Sequence, residues 1–325
     1  MSFLNRFLFF ILMSCFCFVS SVHAGVIEVI NNNNLIVFGD LDSNSEVEGR
    51  TLVGGSIIGP HFSNFGIHLP DTNNTTDYAL TVAGNISNVQ VNNNYGVLVG
   101  GSYSNINNAS VIDKMTAANA VVDFTQLESD LLSFSSFLQA LTPNSYLSAP
   151  IDQPAAAHFN VAQDLNNDLS VFSFSESLFF GNDKIQQYDI NLGNQMPSSI
   201  IFNVAGKNIS DAFLGNAVGN MVSEQWRDKI IWNFFEAESI NLTKQFNGSL
   251  LAPLAHLENW NSIEGTVIVK SFTQRGEVHL STYSGEGFDY YDAKKPNLTV
   301  PEPSTSILFL FAVLALVSIQ HNKRA

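Results

Sequence analysis

The chain has 325 residues, with 14 Lys or Arg against 29 Asp or Glu, a formal net charge of −15. Charged residues make up 13% and apolar residues 45%, so the chain can build a large core and is not disordered. The acidic surplus excludes a nucleic-acid binder, because phosphates are repelled. Cys15 and Cys17 are the only cysteines and both lie near the start. No disulfide, cysteine-ligated zinc or iron–sulfur site can therefore form downstream.

Residues 1–24 read as a secretory signal. Arg6 precedes the apolar run Phe7–Met13, continued through Cys15–Val19, and small residues end in Val22-His23-Ala24. Cleavage by signal peptidase is expected after Ala24. An uncleaved anchor helix, or a lipoprotein signal at Leu12-Met13-Ser14-Cys15, is the alternative.

From residue 25 onward the apolar runs are short and β-branched. They include Val26-Ile27-Glu28-Val29-Ile30, Leu35-Ile36-Val37-Phe38, Ala79-Leu80-Thr81-Val82 and Tyr95-Gly96-Val97-Leu98-Val99. Later come Ser199–Val204, Thr266–Val269 and Val278-His279-Leu280. Asn, Gly, Ser and Asp clusters separate them; the chain holds 36 Asn. This is a strand-and-turn pattern. Leu52-Val53-Gly54-Gly55-Ser56 recurs as Leu98-Val99-Gly100-Gly101-Ser102, and Val82-Ala83-Gly84-Asn85-Ile86-Ser87 recurs near Val204–Ser210. A step of about 18 residues between such units suits one coil of a parallel β-solenoid, each coil stacking its Val, Ile and Leu on the next. Glycines at the corners would then supply positive φ. A β-sandwich is the alternative.

One stretch breaks the pattern. Apolar residues from Met115 to Leu141 recur at three- and four-residue steps, which predicts one amphipathic helix over about 113–142, with Asp113 as N-cap and Pro143 as stop. Its aromatic stripe reads as core.

Motifs for chemistry are scarce. His61, His68, His158, His256 and His279 show no metal spacing, and no nucleophile elbow, phosphate loop or dinucleotide fingerprint occurs. Glu236 with Glu238, or Asp289 with Asp292, could be offered as glycosidase pairs, but an acidic chain supplies many such pairs. No catalytic residue and no metal ligand is assigned. Asp40-Leu41-Asp42-Ser43-Asn44 resembles the start of a calcium loop, but Ser45 and Thr51 replace the required Gly and Glu. No cofactor is expected; calcium, weakly held, is the remaining option. Glu48 and Arg50 would share a strand face and read as a structural ion pair.

The C-terminus carries the most specific pattern. Pro301-Glu302-Pro303 precedes an apolar segment at about 306–319, followed by the basic pair Lys323-Arg324. The apolar run is short for a permanent span. The basic pair acts as a stop on the cytoplasmic side. The whole has the logic of a removable sorting signal. A single-pass anchor is the alternative.

These last residues resemble the PEP-CTERM sorting signal of Gram-negative bacteria that make exopolysaccharide. The resemblance implies recognition by an exosortase at the inner membrane and export to the surface or matrix, with residues 300–325 as the signal. The region before it resembles the choice-of-anchor A domain. The opening Val37-Phe38-Gly39-Asp40-Leu41, with Val47–Arg50 and Val53-Gly54-Gly55, carries the likeness, as do Ile231–Phe235, Gly248–Pro253, Ile263-Glu264-Gly265 and Val269–Phe272. Residues 145–195 and Lys244–Asn247 depart from it. The resemblance implies an adhesive domain over 25–299, likened to solenoid ice-binding and adhesin modules. The expected function is that of a non-catalytic surface or matrix protein, adhesive or biofilm-related, with exopolysaccharide or other cell-surface glycans as partners. An extracellular polysaccharide-acting enzyme on a β-helix is the alternative.

Overall fold

The structure, a computed structural model, describes residues 25–74, 77–117, 119–165, 168–288 and 291. The signal segment with Ala24, the sorting motif Pro301-Glu302-Pro303, the apolar segment at about 306–319, and Lys323 and Arg324 lie outside the described residues. Among the described residues no helix is long and apolar enough to cross a membrane.

The spine is a parallel sheet of short strands: β1 (Leu35–Val37), β2 (Thr51–Val53), β3 (Tyr78–Val82), β4 (Gly96–Val99), β5 (Ile112–Lys114), β6 (Leu169–Ser175), β7 (Ser199–Ala205), β8 (Ile230–Asn233), β9 (Ser249–Asn259) and β10 (Val267–Gln274). Their spatial order is β5-β4-β3-β2-β1-β10-β9-β8-β7-β6. Each coil adds short strands on two further sides; the first coil runs through Leu35–Val37, Leu41–Ser43 and Glu46–Val47. This is the expected β-solenoid, and the sandwich alternative is not what forms: every spine pairing is parallel.

The coils do not stack in chain order. β1 pairs with β2 on one side and with β10 on the other, Leu35 lying beside both Thr51 and Val267. The chain climbs from β1 to β5, crosses to the opposite end and returns from β6 to β10. Nine inter-strand steps of about 4.8 Å make that crossing roughly 43 Å. A helix α2 (Phe124–Ala140), the second after α1 (Val26–Asn32), supplies about 26 Å of it at roughly 1.5 Å per residue.

The helix expected over 113–142 is therefore shorter. Ile112-Asp113-Lys114 pairs with Val97-Leu98-Val99 as the last coil of the ascending stack, and Asp123, not Asp113, is the N-cap, accepting from the N–H groups of Thr125 and Gln126. Strand pairing overrides helical spacing there. Val26–Ile30, expected as a strand, is helical instead, because Val26 and Ile30 one turn apart reach the outside of the spine beside Ile36.

The spine is apolar on both sides. Inside, Leu35, Val53, Val97, Phe202, Trp232 and Val267 join one core; outside, Ile36, Leu52, Ile201, Ile231, Leu251 and Ile268 pack under Leu127, Leu131, Phe134 and Leu138 of α2. That explains the near-continuous apolar runs. Buried polar groups pin the helix: Ser135 Oγ donates to Asn233 Oδ1 at 2.6 Å, and Asn203 Nδ2 donates to the Leu138 carbonyl at 2.7 Å.

The corner glycines divide: Gly206, Gly248 and Gly265 supply the expected positive φ, whereas those of the Gly-Gly repeats serve close approach. Gly55, Gly84 and Gly101 all have ordinary φ. A Cβ on Gly55 would lie 2.5 Å from the Gly39 carbonyl carbon, and one on Gly101 would lie 2.5 Å from the Gly84 oxygen. Left-handed φ also falls on Asn88, Asn93, Asn94, Asn105 and Asn108. Their short side chains bond locally and tolerate that conformation.

Candidate functional site

The third side of the solenoid is open to solvent. It is built from one short unit, polar–apolar–polar in all but one case, that recurs at each coil. In spatial order the units are Asn208-Ile209-Ser210, Ser239-Ile240-Asn241, His256-Leu257-Glu258, Ser271-Phe272-Thr273, Asp40-Leu41-Asp42, Ser56-Ile57-Ile58, Asn85-Ile86-Ser87 and Ser102-Tyr103-Ser104. The Ile57 N–H donates to the Asn85 carbonyl and joins the sixth unit to the seventh.

Strand alternation fixes what each residue does. The central residue points inward and is buried in seven of the eight units; at the terminal coil Tyr103 is exposed. The two flanking residues point out, giving two parallel rows. Asn208, Ser239, His256, Ser271, Asp40, Ser56, Asn85 and Ser102 form one row; Ser210, Asn241, Glu258, Thr273, Asp42, Ile58, Ser87 and Ser104 form the other. Seven steps of about 4.8 Å make the face roughly 34 Å long.

Hydrogen bonds run along the rows. Ser239 Oγ donates to Asn208 Oδ1 at 2.8 Å, and His256 meets Ser271 Oγ through Nδ1 at 2.9 Å and Thr273 Oγ1 through Nε2 at 3.3 Å. Asp40 Oδ1 accepts the Ser56 N–H at 2.8 Å, Ser56 Oγ accepts the Asn85 N–H at 3.0 Å, and Asn85 Oδ1 accepts from Ser102 at 2.8 Å. The rungs thus order one another from coil to coil. The result is a pre-organised, hydrogen-bonding strip with no cleft in it.

At the Asp40–Asn44 turn both carboxylates have protein partners. Asp40 is occupied by the Ser56 N–H, and Asp42 Oδ2 takes Arg275 at 2.8 Å. Among the described residues no group of three His, Cys, Asp or Glu side chains is arranged to hold a metal ion. Glu236 and Glu238 are engaged elsewhere. Glu236 accepts the Gly206 N–H at 2.8 Å, and Glu238 pairs with Lys207 at 2.6 Å, both at an exposed corner. Asp289 and Asp292 lie outside the described residues.

Glu48 and Arg50 do not pair with each other. The strand ends at Val47, so the turn sends them apart. Glu48 takes His68 at 2.8 Å and the Leu280 N–H at 2.7 Å. Arg50 donates to the Tyr78 carbonyl at 2.7 Å, meets Asp77 at 3.4 Å and lies over the Tyr95 ring.

A second polar cluster sits on the side opposite the strip. The buried Glu264 carboxylate accepts from Gln245 at 2.9 Å and Ser262 at 3.0 Å, and pairs with Arg227 at 3.2 Å and His279 at 2.8 Å. His279 also meets Glu277 at 2.6 Å. Burial pulls the His279 pKa down, but Glu277, Glu264 and Glu48 outweigh it and the net shift is upward. The Glu264 carboxylate thus ties neighbouring coils together through Gln245 and His279.

Two of the eight rungs, Asn85-Ile86-Ser87 and Asn208-Ile209-Ser210, coincide with an internal repeat of the sequence. The other six carry no such signal, because a three-residue unit is too short to stand out without the register that aligns it.

Residues 27–280 match the model of a family described as "Putative Ice-binding-like adhesive domain". Among curated proteins none matches. Solved structures that resemble the chain include an ice-binding protein from the Antarctic ascomycete Antarctomyces psychrotrophicus, at 12% identity and a TM-score of 0.36, covering 78% of this chain and 97% of that one. The ice-binding protein 1 DUF3494 domain of Shewanella frigidimarina aligns at 13% identity and a TM-score of 0.38, covering 82% and 99%. At these scores no residue of theirs is carried onto this chain.

Proposed function

The chain belongs to the ice-binding-like adhesive domain family, and from that premise we propose that it is an exported, non-catalytic adhesin that binds hydroxyl-rich neutral polysaccharide through the eight-rung strip. The observation that carries the reading is the double row of outward side chains, 11 of the 16 being Asn, Ser or Thr, held at fixed spacing on an open side. Amides and hydroxyls both donate and accept, which suits the hydroxyls of a glycan. The coil register sets their spacing in advance, so little side-chain order is lost on binding.

Asp40, Asp42 and Glu258 argue against an ice surface as the ligand. Carboxylates keep strong hydration that a neutral lattice cannot replace. The acidic net charge argues equally against polyanionic glycans. For delivery, the resemblance of Pro301-Glu302-Pro303 and its tail to PEP-CTERM supports sorting by an exosortase at the inner membrane of a Gram-negative bacterium, then placement at the cell surface or in the exopolysaccharide matrix. The resemblance to choice-of-anchor A supports the same setting.

Retention on beads of neutral polysaccharide tests the reading. The parent protein is expected to be retained, and Ser239→Lys, which puts a long charged side chain in the middle of one row, to lose at least tenfold in retention with unchanged thermal unfolding. Equal retention of the two would contradict the strip as the binding surface. Release of reducing sugar that disappears in Glu258→Gln would contradict the non-catalytic reading.

A further inference from the structure

The chain has 3 tryptophans. Trp226 and Trp232 are buried, with 4% and 1% exposure, and Trp232 donates its ring N–H to the Asn247 carbonyl at 2.9 Å. Trp260 differs sharply: it is 58% exposed.

Its position follows from β9. His256 and Glu258 point outward, Leu257 and Asn259 inward, so the next outward place is that of Trp260. The Trp260 N–H donates to the Leu242 carbonyl at 2.8 Å, and the Arg275 N–H donates to the Asn259 carbonyl at 3.2 Å, so the coil register continues through this residue. The indole therefore begins a third row beside the strip, with Thr243 on one neighbouring coil and Arg275 on the other.

The surroundings indicate what the indole meets. Asn241 and Glu258 stand in the adjacent row, joined only by a long 3.4 Å contact, so both keep spare hydrogen-bonding capacity. Arg275 is held in place by Asp42 at 2.8 Å. An apolar ring face left in water costs free energy in proportion to its area. An indole is amphipathic, and a rigid one adds contact area at low entropic cost. The apolar C–H face of a pyranose covers such a ring, while its rim hydroxyls reach an amide and a carboxylate alongside.

We propose that Trp260, flanked by Asn241 and Glu258, is a stacking platform for one pyranose ring of a neutral polysaccharide. This site rests on the adhesive reading above and names the contact within it that supplies the most binding energy.

Trp260 is the one accessible fluorophore among the tryptophans, which provides the test. Acrylamide quenching is measured on the full domain with cellohexaose and chitohexaose, together with retention on polysaccharide beads. The expected result is protection from quenching on binding, at least tenfold loss of retention in Trp260→Ala, and partial recovery in Trp260→Tyr. Retention of Trp260→Ala equal to the parent, with Ser239→Lys lost, would overturn the platform and leave the strip standing. Unchanged quenching of the bead-bound parent would overturn the platform as well. A parent that binds none of these glycans would overturn both.

Discussion

β9 and β10 each run from one side of the solenoid to the next, and their outward residues change character at the bend. Before it, Leu251 and Ile268 point out and are buried under the helices; after it, His256, Glu258, Ser271 and Thr273 point out into solvent. The inward residues stay apolar across the bend, with Leu250 and Leu257 both buried, until Asn259 and Gln274 end the two strands as buried polar groups. Coil stacking therefore needs only the inward side. The outward side records what each face is for: a covering helix on one, a ligand on the other.

The largest effect expected from this contrast lies on the covered side. Phe134 of α2 is fully buried, with ring centroids 5.4 Å from Phe288 and 5.2 Å from Tyr291. Phe134→Ala is expected to cost about 3–5 kcal/mol in chemical denaturation, the usual range for an aromatic core truncation. A cost comparable to that of a surface substitution, within roughly 0.5 kcal/mol, would mean the helix is not structurally required.

A smaller effect is expected from the locking cluster around Glu264. Because the pKa of His279 is raised in the folded state, its protonation stabilises the fold. That contribution is complete below the unfolded histidine value of about 6.5 and is lost as pH rises through the folded value. The thermal midpoint is expected to fall between mildly acidic and mildly alkaline pH, and His279→Gln to flatten that slope. Arg227 and Glu277 face the same carboxylate network and should be titrated alongside by control substitutions.

The contrast between sides also explains what could be read in advance. Strands β1, β3, β4, β7 and β10 were legible because a sheet buried on both sides demands continuous β-branched runs, as in Leu35-Ile36-Val37 and Val267-Ile268-Val269. The Gly-Gly corners were legible as repeats, though their cause is the next coil's backbone. The union of β1 with β10 was not, because Leu35 and Val267 meet only after the chain has crossed and returned. The start of α2 is not legible, because Ile112-Asp113-Lys114 carries spacing compatible with either element, and pairing with β4 decides it. The strip was the least legible part. Its signal is a small polar residue on either side of one apolar residue, and only the register lines the units up.

The most direct measurement is hydroxyl-radical footprinting of the domain free and bound to polysaccharide beads. Protection is expected at His256, Tyr103 and Trp260 along the strip and its edge, with Tyr146 and His158 on the opposite side unchanged. Protection at Tyr146 and His158, with the strip residues as reactive as in the free protein, would contradict the assignment of the open face as the binding surface.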